Sequence, residues 1–317
     1  MEKPVRGRFA PTNSGRMHLG NVLCALLAWL SARSQGGEIV LRIEDLDAER
    51  CPREYAGLLE DDLAWLGLDW DEGGSGGGPA GSYYQSERFP IYAQYFDRLR
   101  EQGMLYPCFC SRAELHAAEA PHLSDGRVVY SGRCRGLTPA ETAQKSAVRP
   151  PAARLRVPNE TIGFSDLCRG RYAEKLADTS GDFIVRRSDG VYAYQLAVVV
   201  DDALMGVTEI VRGNDLLDSA VRQLWLYRLL GFAPPRFGHI PLLLAPDGRR
   251  LSKRDGYLDL GALRRRFSSP EPLLGQLAAL CGLLERPEPI AARALVPLFS
   301  WDKLPREDIF LPRDFPG

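Results

Sequence analysis

The apolar and polar positions of the first forty residues fit a strand, a helix and a second strand. Arg6 to Ala10 reads as a short strand, Gly20 to Gln35 as a helix carrying the apolar run Val22 to Leu30, and Glu38 to Arg42 as a strand of Ile-Val-Leu type. A strand, a glycine-bearing turn, a helix and a strand make a βαβ unit, hence a parallel sheet with a right-handed crossover. Pro52 to Gly67 and Tyr92 to Gly103 have apolar positions at helical spacing, and the small residues of Gly73 to Ser82 between them read as a loop. Pro107 to Ala153 loses this periodicity and reads as a small inserted unit. The sheet pattern returns after Asp182. Tyr192 to Val200 is rich in β-branched residues and reads as a strand ended by Asp201-Asp202, with those carboxylates capping a turn. Asn214 to Leu230 reads as a helix, Gly238 to Leu244 as a buried strand, and the Leu- and Ala-rich tail as a few helices.

The pattern predicts an α/β nucleotide-binding core split by an insertion. Its halves are residues 1–106 and 182–255, the insertion is 107–181, and the helical tail is 256–317. Composition narrows the setting. Hydrophobic residues make up 45% of the chain, enough for a packed core. No apolar run approaches the roughly 18 residues of a membrane span, and Met1 to Arg6 has no signal core, so neither insertion nor export is expected. Seven scattered cysteines fit a reducing compartment, hence the cytoplasm. With 40 Lys+Arg against 41 Asp+Glu, a nucleic-acid face would have to come from local clustering of charge.

Three features carry candidate chemistry. The run Gly7 to Asn21 leaves a strand through a small-residue loop that opens into a helix, and such a helix start offers free N–H groups to a phosphate. His18 adds a donor there, and Arg249 to Arg254 is a second basic segment downstream. Arg8 and Glu44 stand at the ends of the first two strands, which in a parallel sheet face the ligand crevice. A guanidinium and a carboxylate in those places suit a zwitterionic amino acid with an acidic side chain. Cys108 and Cys110, with Cys134 further on, offer three thiolates of a tetrahedral metal site; Tyr130, His116 and His122 compete for the fourth position. The glycines of 73–82 lack the Lys-Ser/Thr of a phosphate loop and read as a linker.

His18-Leu19-Gly20-Asn21 and Leu251-Ser252-Lys253-Arg254 resemble the HIGH and KMSKS motifs of class I aminoacyl-tRNA synthetases. Gly7 to Thr12, Arg42 to Asp45, Tyr194, Asp201-Asp202 and Ile210 to Gly213 are similar, in order, to the glutamate-specific subgroup, whose glutamine-specific relatives usually carry Pro in place of Ala10. The resemblance implies a Rossmann-like catalytic core that activates glutamate with ATP and Mg²⁺. Arg8, Phe9, Ala10, Pro11, Thr12, Glu44, Tyr194 and Arg212 would line the glutamate site. His18, Gly20, Asn21, Ser252 and Lys253 would serve ATP, with His18 and Lys253 as the catalytic donors. Loss of one donor aimed at charge developing in a transition state typically costs about 3–4 kcal/mol. Asn21 and Arg250 depart from the family motifs without removing a donor.

About 60 residues follow Lys253, too few for the anticodon-binding region of the full-length glutamate enzymes. The chain therefore resembles their shortened branch, which esterifies glutamate to queuosine at the wobble position of tRNA(Asp). That branch implies the tRNA(Asp) anticodon loop as partner, a monomer, and one structural zinc on Cys108, Cys110, Tyr130 and Cys134, whose Cys-x-Cys…Tyr-x-x-x-Cys spacing matches.

Overall fold

The structure is a computed structural model that describes residues 4–12, 15–47, 49–111, 114, 129–251 and 258–315. The chain opens with β1 (Arg6–Phe9), α1 (Leu19–Ser34) and β2 (Glu38–Leu41), then α2 (Glu54–Leu66) and β3 (Glu72–Gly73). After α3 (Phe89–Glu101) come β4 (Leu105–Cys108), α4 (Pro139–Ser146), β5 (Ala152–Leu155), β6 (Thr161–Asp166), β7 (Gly170–Lys175) and β8 (Phe183–Arg186). The core resumes with α5 (Tyr194–Leu204), β9 (Glu209–Gly213), α6 (Leu217–Leu230) and β10 (Arg236–Ile240). β11 (Leu243–Leu244) closes this half, and the tail holds α7 (Leu260–Arg266), α8 (Glu271–Leu280), α9 (Ala292–Leu295) and β12 (Ile309–Phe310).

β1, β2 and β3 pair in parallel, with Arg8 opposite Val40 and Leu41 opposite Gly73. β9 and β10 form a second parallel pair. The Thr208 N–H donates to the Arg6 carbonyl at 2.9 Å, which sets β9 beside β1. The strands thus run β3-β2-β1-β9-β10, and their order turns between β1 and β9. The loop expected over 73–82 begins inside this sheet. Gly73 has φ 97°, and a Cβ there would lie 1.9 Å from the Leu41 carbonyl oxygen, so only glycine allows the edge strand to close on β2.

α1 is buried almost all round, from Leu19 through Leu30. One face lies on the sheet; the other meets the tail, whose Leu260, Leu263, Leu273, Leu274 and Leu277 join the same apolar cluster. A fully buried leucine contributes roughly 1.5–3 kcal/mol relative to exposure, so the tail is part of the core. On the sheet's other face α3, α5 and α6 pack around Tyr92, Leu196, Val199 and Leu226. No helix among the described residues is long and apolar enough to cross a membrane.

The stretch expected as a strand over Tyr192 to Val200 is the helix α5. Leu196 to Val200 is buried on every side, so no polar face marks a helical period, and the β-branched composition reads as a strand. Asp201 and Asp202 do not cap a strand-end turn. They sit inside α5 at 0% exposure, paired with Arg88 and Arg42. The inserted unit, where periodicity was lost, supplies β4 and β5 of an antiparallel sheet completed by β8, and the β6–β7 hairpin. That hairpin packs on β10 and α6.

Candidate active site

The turn in strand order between β1 and β9 is where a parallel α/β sheet opens a crevice. A cavity of about 680 Å³ lies there. Its walls include Arg8, Phe9, Ala10, Pro11 and Thr12 from the end of β1, Glu44 from beyond β2, Tyr194 from the start of α5 and Arg212 from β9. His18, Gly20 and Asn21 line it from the start of α1. The residues expected at the two halves of the site therefore face one space. Ser252 and Lys253 lie outside the described residues; Arg250 and Leu251, just before them, line the cavity.

His18 is the N-cap of α1. Its Nδ1 accepts the Gly20 N–H at 3.1 Å, and Asn21 Oδ1 accepts the His18 N–H at 3.3 Å. An accepting Nδ1 leaves the ring proton on Nε2. Burial lowers the His18 pKa, so this neutral tautomer holds at neutral pH. The side chain thus ends a helix and still presents one N–H. The signature loop is tied to the tail as well. The Leu260 N–H donates to the Met17 carbonyl at 2.8 Å, and His18 forms an antiparallel bridge with Asp259.

The amino-acid end rests on a buried ion-pair network. Arg42 is fully buried and meets Asp202 Oδ1 at 2.5 Å, Glu44 Oε1 at 3.1 Å and Asp201 Oδ2 at 3.8 Å. Burial disfavours its charge, but Asp202, Glu44 and Asp201 outweigh that and hold its pKa well above the ordinary value. Arg88 Nε closes on Asp201 Oδ1 at 2.6 Å. Burial raises the Glu44 pKa, opposed by Arg42 and Arg8. Arg8 donates to the Val211 carbonyl at 3.1 Å and lies 3.7 Å from Asp202; its Nε has no hydrogen-bond partner among the described residues. Burial raises the Tyr194 pKa, so its phenol stays neutral.

Arg212 brings in two residues that the sequence did not single out. Its Nε donates to His239 Nε2 at 3.0 Å, and His239 Nδ1 lies 2.6 Å from Asp166 Oδ2. Asp166 ends β6, over 40 residues before Arg212 in the chain, and no spacing rule connects them.

The cysteine cluster lies at the end of β4. The Sγ atoms of Cys108, Cys110 and Cys134 all fall within 4.8 Å of one another, with Cys110 and Cys134 3.7 Å apart. Tetrahedral zinc with Zn–S near 2.3 Å sets sulfurs about 3.8 Å apart, so the donor set fits that ion. The Tyr130 hydroxyl stands 3.5 Å from Cys108 Sγ and accepts the Cys134 N–H at 3.0 Å. His116 and His122 lie outside the described residues. Burial pushes the Cys108 thiol up, but bonds from Tyr130, the Cys110 backbone and Arg154 bring it below the ordinary value. Cys110 is pushed up to about 12 by burial and by Cys108 beside it.

The family model "tRNA synthetases class I (E and Q), catalytic domain" matches residues 4–283. The chain is 52% identical to the Glutamyl-Q tRNA(Asp) synthetase of Symbiobacterium thermophilum, covering 97% of this chain and 96% of that protein. It is 47% identical to the protein of that name from Nitratidesulfovibrio vulgaris, covering 98% and 96%. Among solved structures, a glutamate tRNA ligase from Elizabethkingia meningosepticum in complex with its amino acid superposes with TM-score 0.83 at 28% identity, covering 98% of this chain and 68% of that one.

Proposed function

This chain belongs to the class I tRNA synthetases of the E and Q type, and from that membership we propose that it forms glutamyl-adenylate from glutamate and ATP and esterifies the glutamate to queuosine in the tRNA(Asp) anticodon. The observation that carries the reading is the shared cavity, in which Arg8, Glu44 and Arg212 stand beside the helix start that bears His18. The 52% and 47% identity to proteins named for that reaction, along nearly their whole length, supports the choice of tRNA.

In this reading Arg8 and Arg212 take the carboxylates of glutamate, while Glu44 and the Tyr194 hydroxyl face its ammonium. Phe9 to Thr12 shape the pocket floor. A carboxylate oxygen attacks the α-phosphorus of ATP, a P–O bond to the β-phosphate breaks, and pyrophosphate leaves. His18 Nε2–H and the N–H groups of Gly20 and Asn21 meet the phosphates, and Ser252 and Lys253 complete that end. Mg²⁺ bound to ATP would supply further charge neutralisation at the phosphates. Cys108, Cys110, Tyr130 and Cys134 would hold one structural zinc, whose bonds would tie the end of β4 to the segment before α4. The cytoplasm is the proposed compartment and the monomer the proposed working unit.

The test uses labelled glutamate, ATP and total tRNA from cells with and without queuosine. The expected label is on tRNA(Asp), in the anticodon-loop fragment, and absent without queuosine. Label on a 3′-terminal adenosine would make the protein a compact glutamyl-tRNA synthetase. No pyrophosphate exchange with glutamate would make it a non-catalytic relative.

A further inference from the structure

Arg212 is a buried cation with no carboxylate in ion-pair distance among the described residues. Three neutral acceptors and the Tyr194 hydroxyl hold it. Nε donates to His239 Nε2 at 3.0 Å, Nη1 to Gln223 Oε1 at 2.9 Å and Nη2 to the Leu216 carbonyl at 3.3 Å. Arg42, two strands away, shows the alternative, a guanidinium neutralised by acidic side chains. A neutral acceptor orients a guanidinium without consuming its charge.

His239 can accept from Arg212 in only one tautomer. The Nε2 lone pair requires the proton on Nδ1, and Asp166 Oδ2 stands there at 2.6 Å to receive it. Asp166 is itself fixed by the backbone N–H groups of Cys168, Arg169 and His239. We infer that Asp166 and His239 are positioning residues, a relay that locks the histidine tautomer and thereby aims an uncompensated Arg212 at a carboxylate of the amino-acid substrate. The inference rests on the proposed glutamate activation. It ties the amino-acid pocket to the β6–β7 hairpin, which supplies Asp166.

The charged groups facing His239 are Asp166 from β6, Arg212 from β9 and Arg169 from the β6–β7 turn, which donates to the His239 carbonyl at 3.3 Å; Phe164 and Phe237 flank its ring. Burial lowers the His239 pKa despite Asp166, in keeping with a neutral ring. Protonation of Nε2 would set an N–H against the Arg212 N–H and release the guanidinium.

Pyrophosphate exchange with glutamate tests this with two variants. Asp166→Asn keeps an oxygen for the Cys168 and Arg169 N–H groups but turns an amide donor toward Nδ1, which drives the ring proton to Nε2. Its glutamate KM should rise about tenfold or more, as expected for loss of a hydrogen bond to a charged group, while its ATP KM and Tm stay near wild type. His239→Gln keeps an acceptor for Arg212 that does not titrate. The ratio of wild-type to variant glutamate KM, set to one at neutral pH, should climb as pH falls below about 6.5. That ratio cancels the ionisation of ATP and glutamate.

An unchanged glutamate KM in Asp166→Asn, or a joint rise of both KM values with a drop in Tm, would overturn the relay. So would a ratio flat with pH, which decides alone if Asp166→Asn does not fold. Wild-type protein that exchanges no pyrophosphate with glutamate would overturn the proposed function itself, and the relay with it.

Discussion

The amino-acid end of the cavity and the cysteine cluster of the insertion both bury polar groups, and they balance them in opposite ways. Behind the cavity wall Arg42 and Arg88 are closed by Asp201, Asp202 and Glu44, all within the chain. That leaves Arg8 and Arg212 with charge to offer a ligand. In the insertion three thiols crowd together with Tyr130, and Arg154 Nε reaches Cys108 at 3.2 Å. One site is complete before its ligand arrives; the other, on the zinc reading, is completed by a dication. The first should therefore resist chelation and fail when a single internal partner is lost, and the second should lose its metal to a chelator.

The largest expected effect is on the self-contained side. Arg42→Leu leaves Asp202 and Glu44 buried without their main partner, and breaking a buried pair on one side costs about 3–5 kcal/mol. Urea unfolding should show a lower midpoint with an unchanged slope. A loss below about 1 kcal/mol would show that the network is not a closed unit. The cysteine side comes next. Purified protein should carry one zinc per chain, lost in Cys108→Ser or Cys134→Ser, with a smaller fall in Tm and glutamate exchange retained. Metal-free wild type with a full Tm would break the comparison.

Arg8→Gln should erode the preference for glutamate over glutamine by about tenfold or more, because a buried mismatched polar pair costs roughly 1–3 kcal/mol. Competitive exchange with the two amino acids reads this directly. Wild-type protein that uses both equally well would mean the charge of Arg8 is not directed at the side chain.

The smallest effect is on pH. His239 and His18 both have pKa values lowered by burial. The unfolded chain then binds more protons below the ordinary histidine value of about 6.5. Stability should fall as pH drops through that value, by at most about 1.4 kcal/mol per pH unit for each group. It should level off below the folded pKa values. Stability that rises on acidification over that range would contradict the buried neutral rings.

The parallel core was legible where periodicity and turn chemistry agree. Arg6 to Leu41 folds as the strand–helix–strand unit that its pattern predicts, and His18 sits at the helix start. α5 was misread for a physical reason. A helix buried on all sides has no polar stripe, and Asp201-Asp202 looks like a terminus until Arg42 and Arg88, more than 100 residues away, are seen to pair with it. Arg8, Glu44, Tyr194 and Arg212 could be named from family motifs. His239 and Asp166 could not, because their role exists only through contact with Arg212.

The bond from Leu260 to Met17 has a consequence for reach. The chain between Leu251 and Leu258 is pinned at both ends, to the cavity wall on one side and, through Leu260, to the signature loop on the other. Leu251 and Leu260 thus bring both described flanks of the second basic segment to the phosphate end of the cavity.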